Sequence, residues 1–258
     1  RVKKGQSRKC VITSAQNATP VYLPFLKTLL SYCEWTAGEL AVIAYRYKNP
    51  TSVWSGKMSE DDWWAKEIAP YLIDRRLDLT KHLVLLADIK TQPTAKSPLQ
   101  GFETLTGPQS AIIGHPKLEQ LAVPTPQNRI PKLLTTTGAV TKRNYTPTRA
   151  GKTGDHHHTY GACVVEITPD GLFHIRQINA KADGSFCDLT HEYFPDGTRE
   201  DIRVDAVVMG DTHVEFVDPE VVEALFGDGV IVPTMRPKKL VWHDVLDLYS
   251  ANHHHRDE

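Results

Sequence analysis

Residues 207–216 read VVMGDTHVEF, and residues 240–255 read LVWHDVLDLYSANHHH. Each opens as a short apolar, β-branched run and turns abruptly into Asp and His, the pattern of a strand delivering polar side chains at its end. The expectation is a buried strand over 204–209 leading into Gly210-Asp211-Thr212-His213. A second strand over 240–242 leads into His243-Asp244, with Asp247 close behind. Between them, 219–226 (PEVVEALF) has the spacing of a short helix, and Val230-Ile231-Val232 follows. Carboxylate oxygens interleaved with imidazoles at strand ends suit one or two divalent ions. Carboxylates on two neighbouring strand ends can bridge ions about 3.5–4 Å apart, where a bound water is acidified and oriented for in-line attack on a phosphate ester. A nearby His can protonate the leaving oxygen.

Working outward, the N-terminal part predicts a βαβ unit. Residues 9–15 (KCVITSA) read as a buried strand. A helix over 20–35 carries Leu23, Leu26, Leu29, Leu30 and Cys33 at helical spacing and closes at Gly38. Residues 40–45 (LAVIAY) read as a second buried strand. That order implies parallel strands with a right-handed crossover. The loops after them, SAQNATP and RYKNPTS, are polar enough to hold phosphate. A helix is expected over 59–72, capped by Ser59 with Glu60, Asp61 and Asp62 in its first turn. Its Trp63-Trp64 pair suits core or interface. Residues 82–89 (HLVLLADI) predict a third buried strand, followed by the loop KTQPTAKSP.

From residue 101 to 154 the chain is rich in Gly, Pro and Thr with short apolar runs, which reads as short strands joined by long loops. Residues 160–167 and 172–178 flank Pro169-Asp170-Gly171 and predict a hairpin. Further strand-like pieces at 186–193 and 199–203 complete a middle expected to be antiparallel. The sequence 150–154, AGKTG, invites a phosphate-loop reading that fails: Thr146 stands where the motif needs Gly, and Asp155-His156-His157-His158 follows where a helix should. Those three imidazoles are candidates for metal or phosphate contact, or else a turn before the next strand. The expected division is therefore 1–100, 101–203 and 204–258, in a mixed α+β fold.

Charge is uneven along a chain whose 258 residues carry a net charge of −1. No acidic residue occurs from 120 to 154, where Arg129, Lys132, Lys142, Arg143, Arg149 and Lys152 lie, whereas carboxylates dominate from 183 to 228. This fits a phosphate-bearing substrate held near metal ligands, or simply two oppositely charged solvated faces. A net charge this small excludes wholesale coating of nucleic acid. The four widely spaced cysteines lack any CxxC pair, which favours reduced thiols in the cytoplasm over a disulfide framework. No apolar run approaches the roughly 18 residues of a membrane span. The absence of an initial Met leads to the expectation that the sequence is a portion of a longer protein.

Gly-Asp-x-His, a strand with His-Asp-x-x-Asp, then Asn-His resembles the opening motifs of calcineurin-like metallophosphoesterases. The stretches KTQPTAK, TTTGAVT and HHHTYGA are similar to a phage-encoded branch, the first-step DNA transfer nucleases of T5-like tailed phages, which act on host DNA. The resemblance implies the start of an αββα core in 204–258 and two divalent ions, Mn²⁺ or Mg²⁺. It gives Asp211 and His213 to one ion, Asp244 to the bridge, Asn252 to the other ion and His253 to the leaving group. The pattern departs from the family at His243, where Gly is usual, and in the eight-residue spacing from Asp244 to Asn252. Later motifs with further His ligands do not follow. His156, His157, His158, His243, Asp247, His254 and His255 are the candidates to replace them. The expected function is a DNase working in the host cytoplasm, with DNA as partner and a homo-oligomeric assembly. The alternatives are a vestigial DNA-binding or virion-associated protein, and a phosphatase on small nucleotides.

Overall fold

The computed structural model describes residues 7–45 and 63–246. The chain divides into two compact units, one of residues 1–187 with 193–198 and one of 188–192 with 199–258.

The first unit contains the expected crossover. β1 (Arg8–Gln16) runs into α1 (Leu23–Thr36) and returns as β2 (Glu39–Tyr45), parallel to β1 with Cys10 opposite Glu39 and Gln16 opposite Tyr45. Helix α1 begins with a Pro in its first turn, where the missing amide hydrogen costs nothing. It buries Phe25, Leu26, Leu29 and Tyr32, so Leu26 and Leu29 of the expected stripe are in the core, whereas Leu23 is exposed and Leu30 and Cys33 are only partly covered. Ala37, at φ 52°, turns the chain out of the helix, and Gly38 N–H donates to the Cys33 carbonyl at 2.9 Å. The closing residue in the left-handed region is therefore Ala37, one before the expected glycine.

Next come a 3₁₀ turn (Lys66–Tyr71) with Pro70 inside it and β3 (Leu72–Ile73), paired to β2. The helix expected over 59–72 is corrected here. Ser59, Glu60, Asp61 and Asp62 lie outside the described residues, and Pro70 excludes an α-helical hydrogen bond to its nitrogen. Trp64 packs on the core with its indole N–H donating to the Ala15 carbonyl at 3.3 Å, while Trp63 is exposed.

A second sheet has the order β4-β5-β6-β8-β7, built from β4 (Arg76–Thr80), β5 (Leu83–Leu86), β6 (Ser110–Ile113), β7 (Gln120–Val123) and β8 (Lys132–Thr136). β5, β6 and β8 are parallel. The middle is antiparallel at β7–β8 but parallel at β6–β8, and residues 87–109 are long enough to carry the chain back to the start of a parallel neighbour. After α2 (Arg149–His157), strands β9 (Gly161–Ile167) and β10 (Phe173–Asn179) form the expected hairpin, and β9 pairs antiparallel with β1. The first sheet, β10-β9-β1-β2-β3, therefore joins residues from both sides of position 100.

Three apolar layers hold this unit. α1 with Phe186 and Tyr193 covers one face of the first sheet, and Cys10, Ile12, Cys163 and Val165 pack against Leu83, Leu85 and Ile112 of the second. Leu99 and Phe102 cover the outer face of Val84, Leu86, Ile113 and Leu134. None of the four cysteines forms a disulfide, and burial pushes the Cys163 thiol up to about 12, so it is a core residue rather than a nucleophile.

Short strands β11 (Phe186–Asp188), β12 (His191–Tyr193) and β13 (Arg199–Asp201) occupy the stretch where the chain changes units. In the second unit, β14 (Ala206–Asp211), a 3₁₀ turn (Val214–Phe216), α3 (Pro219–Phe226), α4 (Ile231–Met235) and β15 (Lys239–His243) make another parallel crossover. Val230 caps α4 and Ile231 and Val232 open it. The strands are also not buried as expected: every residue of β15 is exposed, and Val208 of β14 is 63% exposed. Parallel strands are normally covered on both faces. Among the described residues, two strands and two short helices are too few to cover this pair. The arrangement as a whole is mixed α+β with parallel and antiparallel sheets.

Candidate metal centre

β14 and β15 pair in register, with Val207 opposite Leu240 and, after an irregularity, Asp211 opposite His243. The pairing continues into the turns: Thr212 N–H donates to His243 O at 3.1 Å, His213 N–H to Asp244 O at 2.9 Å and Val214 N–H to Val245 O at 3.0 Å. Asp211, His213 and Asp244 are thereby set side by side at the carboxyl ends of two adjacent parallel strands. Two of the three hold a costly backbone conformation, His213 at φ 41° and Asp244 at φ 39°. Non-glycine residues persist in this region where their surroundings impose it, often at functional sites. Asp211 and Asp244 are exposed and His213 is half-buried.

Asp211 and Thr212 stand on the wall of a groove of about 1050 Å³ whose lining is mostly apolar, Val214, Phe216, Phe226 and Trp242 among it, with Asp218 and Glu223 as further carboxylates. Phe226 and Trp242 stack at 5.5 Å. Asp218 caps α3 by accepting from Glu220 N–H at 2.8 Å, a structural use for a nearby carboxylate. The donor types at these strand ends fit a hard divalent cation. Among the described residues, no group of three or more His, Cys, Asp and Glu lies close enough to hold one. His243 ends β15 exposed, whereas Asp247, Asn252, His253, His254 and His255 lie outside the described residues.

The triple-His run is helical, neither strand nor loop. His156 and His157 end α2, and His158 is its C-cap. Successive helical residues diverge by about 100°, so the three rings go to different places. His156 is exposed. His157 Nε2 lies 3.0 Å from the Pro93 carbonyl. His158 is buried between Tyr145 Oη at 2.9 Å from Nδ1 and Thr141 O at 3.0 Å from Nε2, which occupies both nitrogens. Burial lowers its pKa to about 3. The neighbouring His115 is lowered to about 4, again by burial. Its Nδ1 accepts from Lys117 N–H at 3.0 Å and its Nε2 faces Gln92 O at 3.0 Å. Both rings are neutral spacers of the fold, and His158 has no nitrogen left for a metal.

The loop SAQNATP, which looked fit for phosphate, is likewise committed, and so are threonines elsewhere in the unit. Gln16 and Asn17 are buried, and Ser14 Oγ donates to Gly138 O at 2.6 Å. Thr91 Oγ1 donates to Gly114 O at 2.7 Å, and Thr135 and Thr136 bond to carbonyls around Glu119. Residues 46–52 of the other loop lie outside the described residues. The glycines of AGKTG serve packing. A Cβ on Gly151 would meet Thr146 O at 2.0 Å, and one on Gly154 would meet the Tyr145 ring at 2.6 Å. Of the basic residues, Lys132 is buried and donates to the Glu103 and Gly107 carbonyls at 2.6 Å each, which removes it from any substrate surface. Arg129 lines a separate cleft of about 700 Å³. Lys142, Arg143, Arg149 and Lys152 are exposed.

No family model matches the sequence. The chain is similar to Protein A1 of Escherichia phage T5, with 32% identity over 260 residues that cover 97% of this chain and 47% of that protein. It spans about half the length of that relative, and the similarity supports a phage origin. A crystal structure of Chaetomium thermophilum Vps29 aligns with 70% of this chain and 94% of its own, at 10% identity and a TM-score of 0.35, a likeness too slight to assign a fold by. Among the described residues no helix is long and apolar enough to cross a membrane.

Proposed function

We infer that residues 204–258 carry the ligands of a metal-dependent phosphodiesterase acting on DNA in the cytoplasm of an infected host. What supports this reading is the backbone pairing at the carboxyl ends of β14 and β15, Asp211 opposite His243 and His213 N–H donating to Asp244 O. Asp211 and His213 would hold one divalent ion, Asp244 would bridge to a second, and Asn252 would complete that second site, with Mn²⁺ or Mg²⁺ as occupants. Bound there, the ions would neutralise phosphate oxygens and supply hydroxide from water near neutral pH. The chain's own part is to hold the carboxylates on rigid strand ends and, through His253, to protonate the departing oxygen. The apolar groove beside Asp211 would limit the water reaching the scissile bond.

A second reading, DNA binding without turnover, draws on the absence of a three-ligand cluster among the described residues. Plasmid degradation in Mn²⁺, Mg²⁺ and EDTA separates the two. Hydrolysis abolished by EDTA and by Asp211→Ala is expected. Cleavage that persists in EDTA or in Asp211→Ala overturns the metal reading. DNA retention with no cleavage in any metal establishes the second one. A parallel assay on mononucleotides separates a nuclease from a small-nucleotide phosphatase.

A further inference from the structure

Helix α2 turns one face outward that no part of the fold uses. Arg149, Lys152, Thr153 and His156 line an open hollow of about 510 Å³. They stand at positions i, i+3, i+4 and i+7, which is one stripe of a helix. The side chains of Arg149, Lys152 and His156 have no hydrogen-bond or ion-pair partner among the described residues. Arg149 and Lys152, three residues apart on that stripe, are like charges that repel each other with no carboxylate paired to either among the described residues.

The helix beneath them is fixed. Thr148 caps it, accepting from Gly151 N–H at 3.1 Å, and Gly151 and Gly154 press its opposite face onto Thr146 and Tyr145. His157 ties its last turn to the Pro93 carbonyl. Arg143 lies near enough to the carboxyl end to act electrostatically on His158 and Tyr160, and it extends the positive surface.

We propose that this face of α2 binds the sugar-phosphate backbone of DNA. Seven residues of helix rise about 10 Å, and each strand of DNA presents a phosphate about every 3.4 Å of duplex axis. Arg149, Lys152 and His156 therefore span roughly three phosphate intervals, with Arg149 and Lys152 supplying the charge and His156 a hydrogen-bonding ring. Phosphate contacts of this kind position a nucleic acid without reading its sequence, which suits a substrate-holding surface. A membrane-binding helix would carry bulky apolar side chains beside its cations, and α2 has none. The assignment rests on DNA being the substrate, as inferred above, yet it concerns binding alone and stands or falls without any hydrolysis.

The test is fluorescence anisotropy of the chain with a labelled 20-base-pair duplex in EDTA, across a salt series. Relative to wild type, Arg149→Glu/Lys152→Glu is expected to bind at least tenfold more weakly. The slope of log K against log salt should fall by about two, since each phosphate contact contributes about 0.9. Lys27→Glu, an exposed charge reversal on α1, is expected to bind as wild type does. If the double reversal unfolds, Arg149→Gln/Lys152→Gln carries the same expectation with a smaller loss. Equal binding by wild type and folded double variant overturns the proposal, as does wild-type binding to phosphatidylserine vesicles but not to duplex. Loss of binding in a preparation that never cleaves DNA upholds this face while the phosphodiesterase reading fails.

Discussion

In the crossover of the first unit, Gln16 ends β1 opposite Tyr45 of β2; in that of the second, Asp211 ends β14 opposite His243 of β15. The next amide donates across the pair in both, Asn17 to Tyr45 O at 3.1 Å and Thr212 to His243 O at 3.1 Å. Two residues beyond the first strand the backbone is left-handed in both, at Ala18 (φ 49°) and His213 (φ 41°). The two turns therefore share a backbone frame and differ in what it presents. Gln16, Asn17 and Ala18 are each 2% exposed, whereas Asp211 is exposed and His213 half-buried. An ionised carboxylate is tolerated where solvent or a cation can reach it and is expensive where neither can. The parallel-strand edge is a neutral support. Burial decides whether it carries amides for structure or acids for chemistry.

Exchanging the residue classes breaks this comparison most directly. Asp211→Asn is expected to lower metal-dependent phosphodiester hydrolysis by at least on the order of a hundredfold, since even outer-shell partners of metals are worth about 10–100-fold. Its urea midpoint should stay at the wild-type value because Asp211 is exposed. Gln16→Glu, the reciprocal change, should destabilise the protein by about 3 kcal/mol or more by burying a charge without a partner. A Gln16→Glu chain as stable as wild type would show that burial does not separate the two edges. Gly151→Ala should cost a similar amount, because its Cβ would strike the Thr146 carbonyl, and thermal melts would register it.

Acid separates the units further. Burial holds His158 at about 3 and His115 at about 4 in the folded state, while an unfolded imidazole titrates near about 6.5. The unfolded chain therefore binds more protons between these values. The stability these rings contribute is complete above pH of about 6.5 and is lost as pH falls toward 4. Each ring adds a slope of at most about 1.4 kcal/mol per pH unit. Urea midpoints from pH 7 down to 5 should show the decline, and His158→Gln should flatten it. The smallest effect concerns Lys132. Lys132→Met should cost about 1–3 kcal/mol by stranding the Glu103 and Gly107 carbonyls. It should leave duplex binding unchanged, which anisotropy checks.

Much of the first crossover was legible because its signals are local. Leu26 and Leu29 at helical spacing and the β-branched runs on either side depend on neighbours in sequence, whereas the burial of Phe25 and Tyr32 in place of Leu23 depends on what packs over the helix. The Pro169-Asp170-Gly171 turn was legible for the same reason: Gly171 takes φ 91° and its N–H donates to Thr168 O at 2.9 Å. The grouping of the histidines at 156–158 was misread because adjacency in sequence says nothing about direction until the helix is known; His156 alone stays exposed. Lys132 was misread because its charge is visible in sequence, whereas the two carbonyls that hold it come from residues 103 and 107. Thr153 was overlooked beside Arg149 and Lys152, although spacing at three and four would have placed it on their stripe. The parallel pairing of β5, β6 and β8 was hidden by connections that carry no pairing signal.

Sequence by itself determined the order of carboxylate, imidazole and carboxylate at 211, 213 and 244, the strand–helix–strand patterns that carry them, and the basic run from 120 to 154. Only the tertiary structure decided which of these groups face solvent. It withdrew His115, His158 and Lys132 into hydrogen-bonded interiors and turned Arg149, Lys152 and His156 outward together. The physical reason is that side-chain chemistry is local, while desolvation depends on what the rest of the chain places over it.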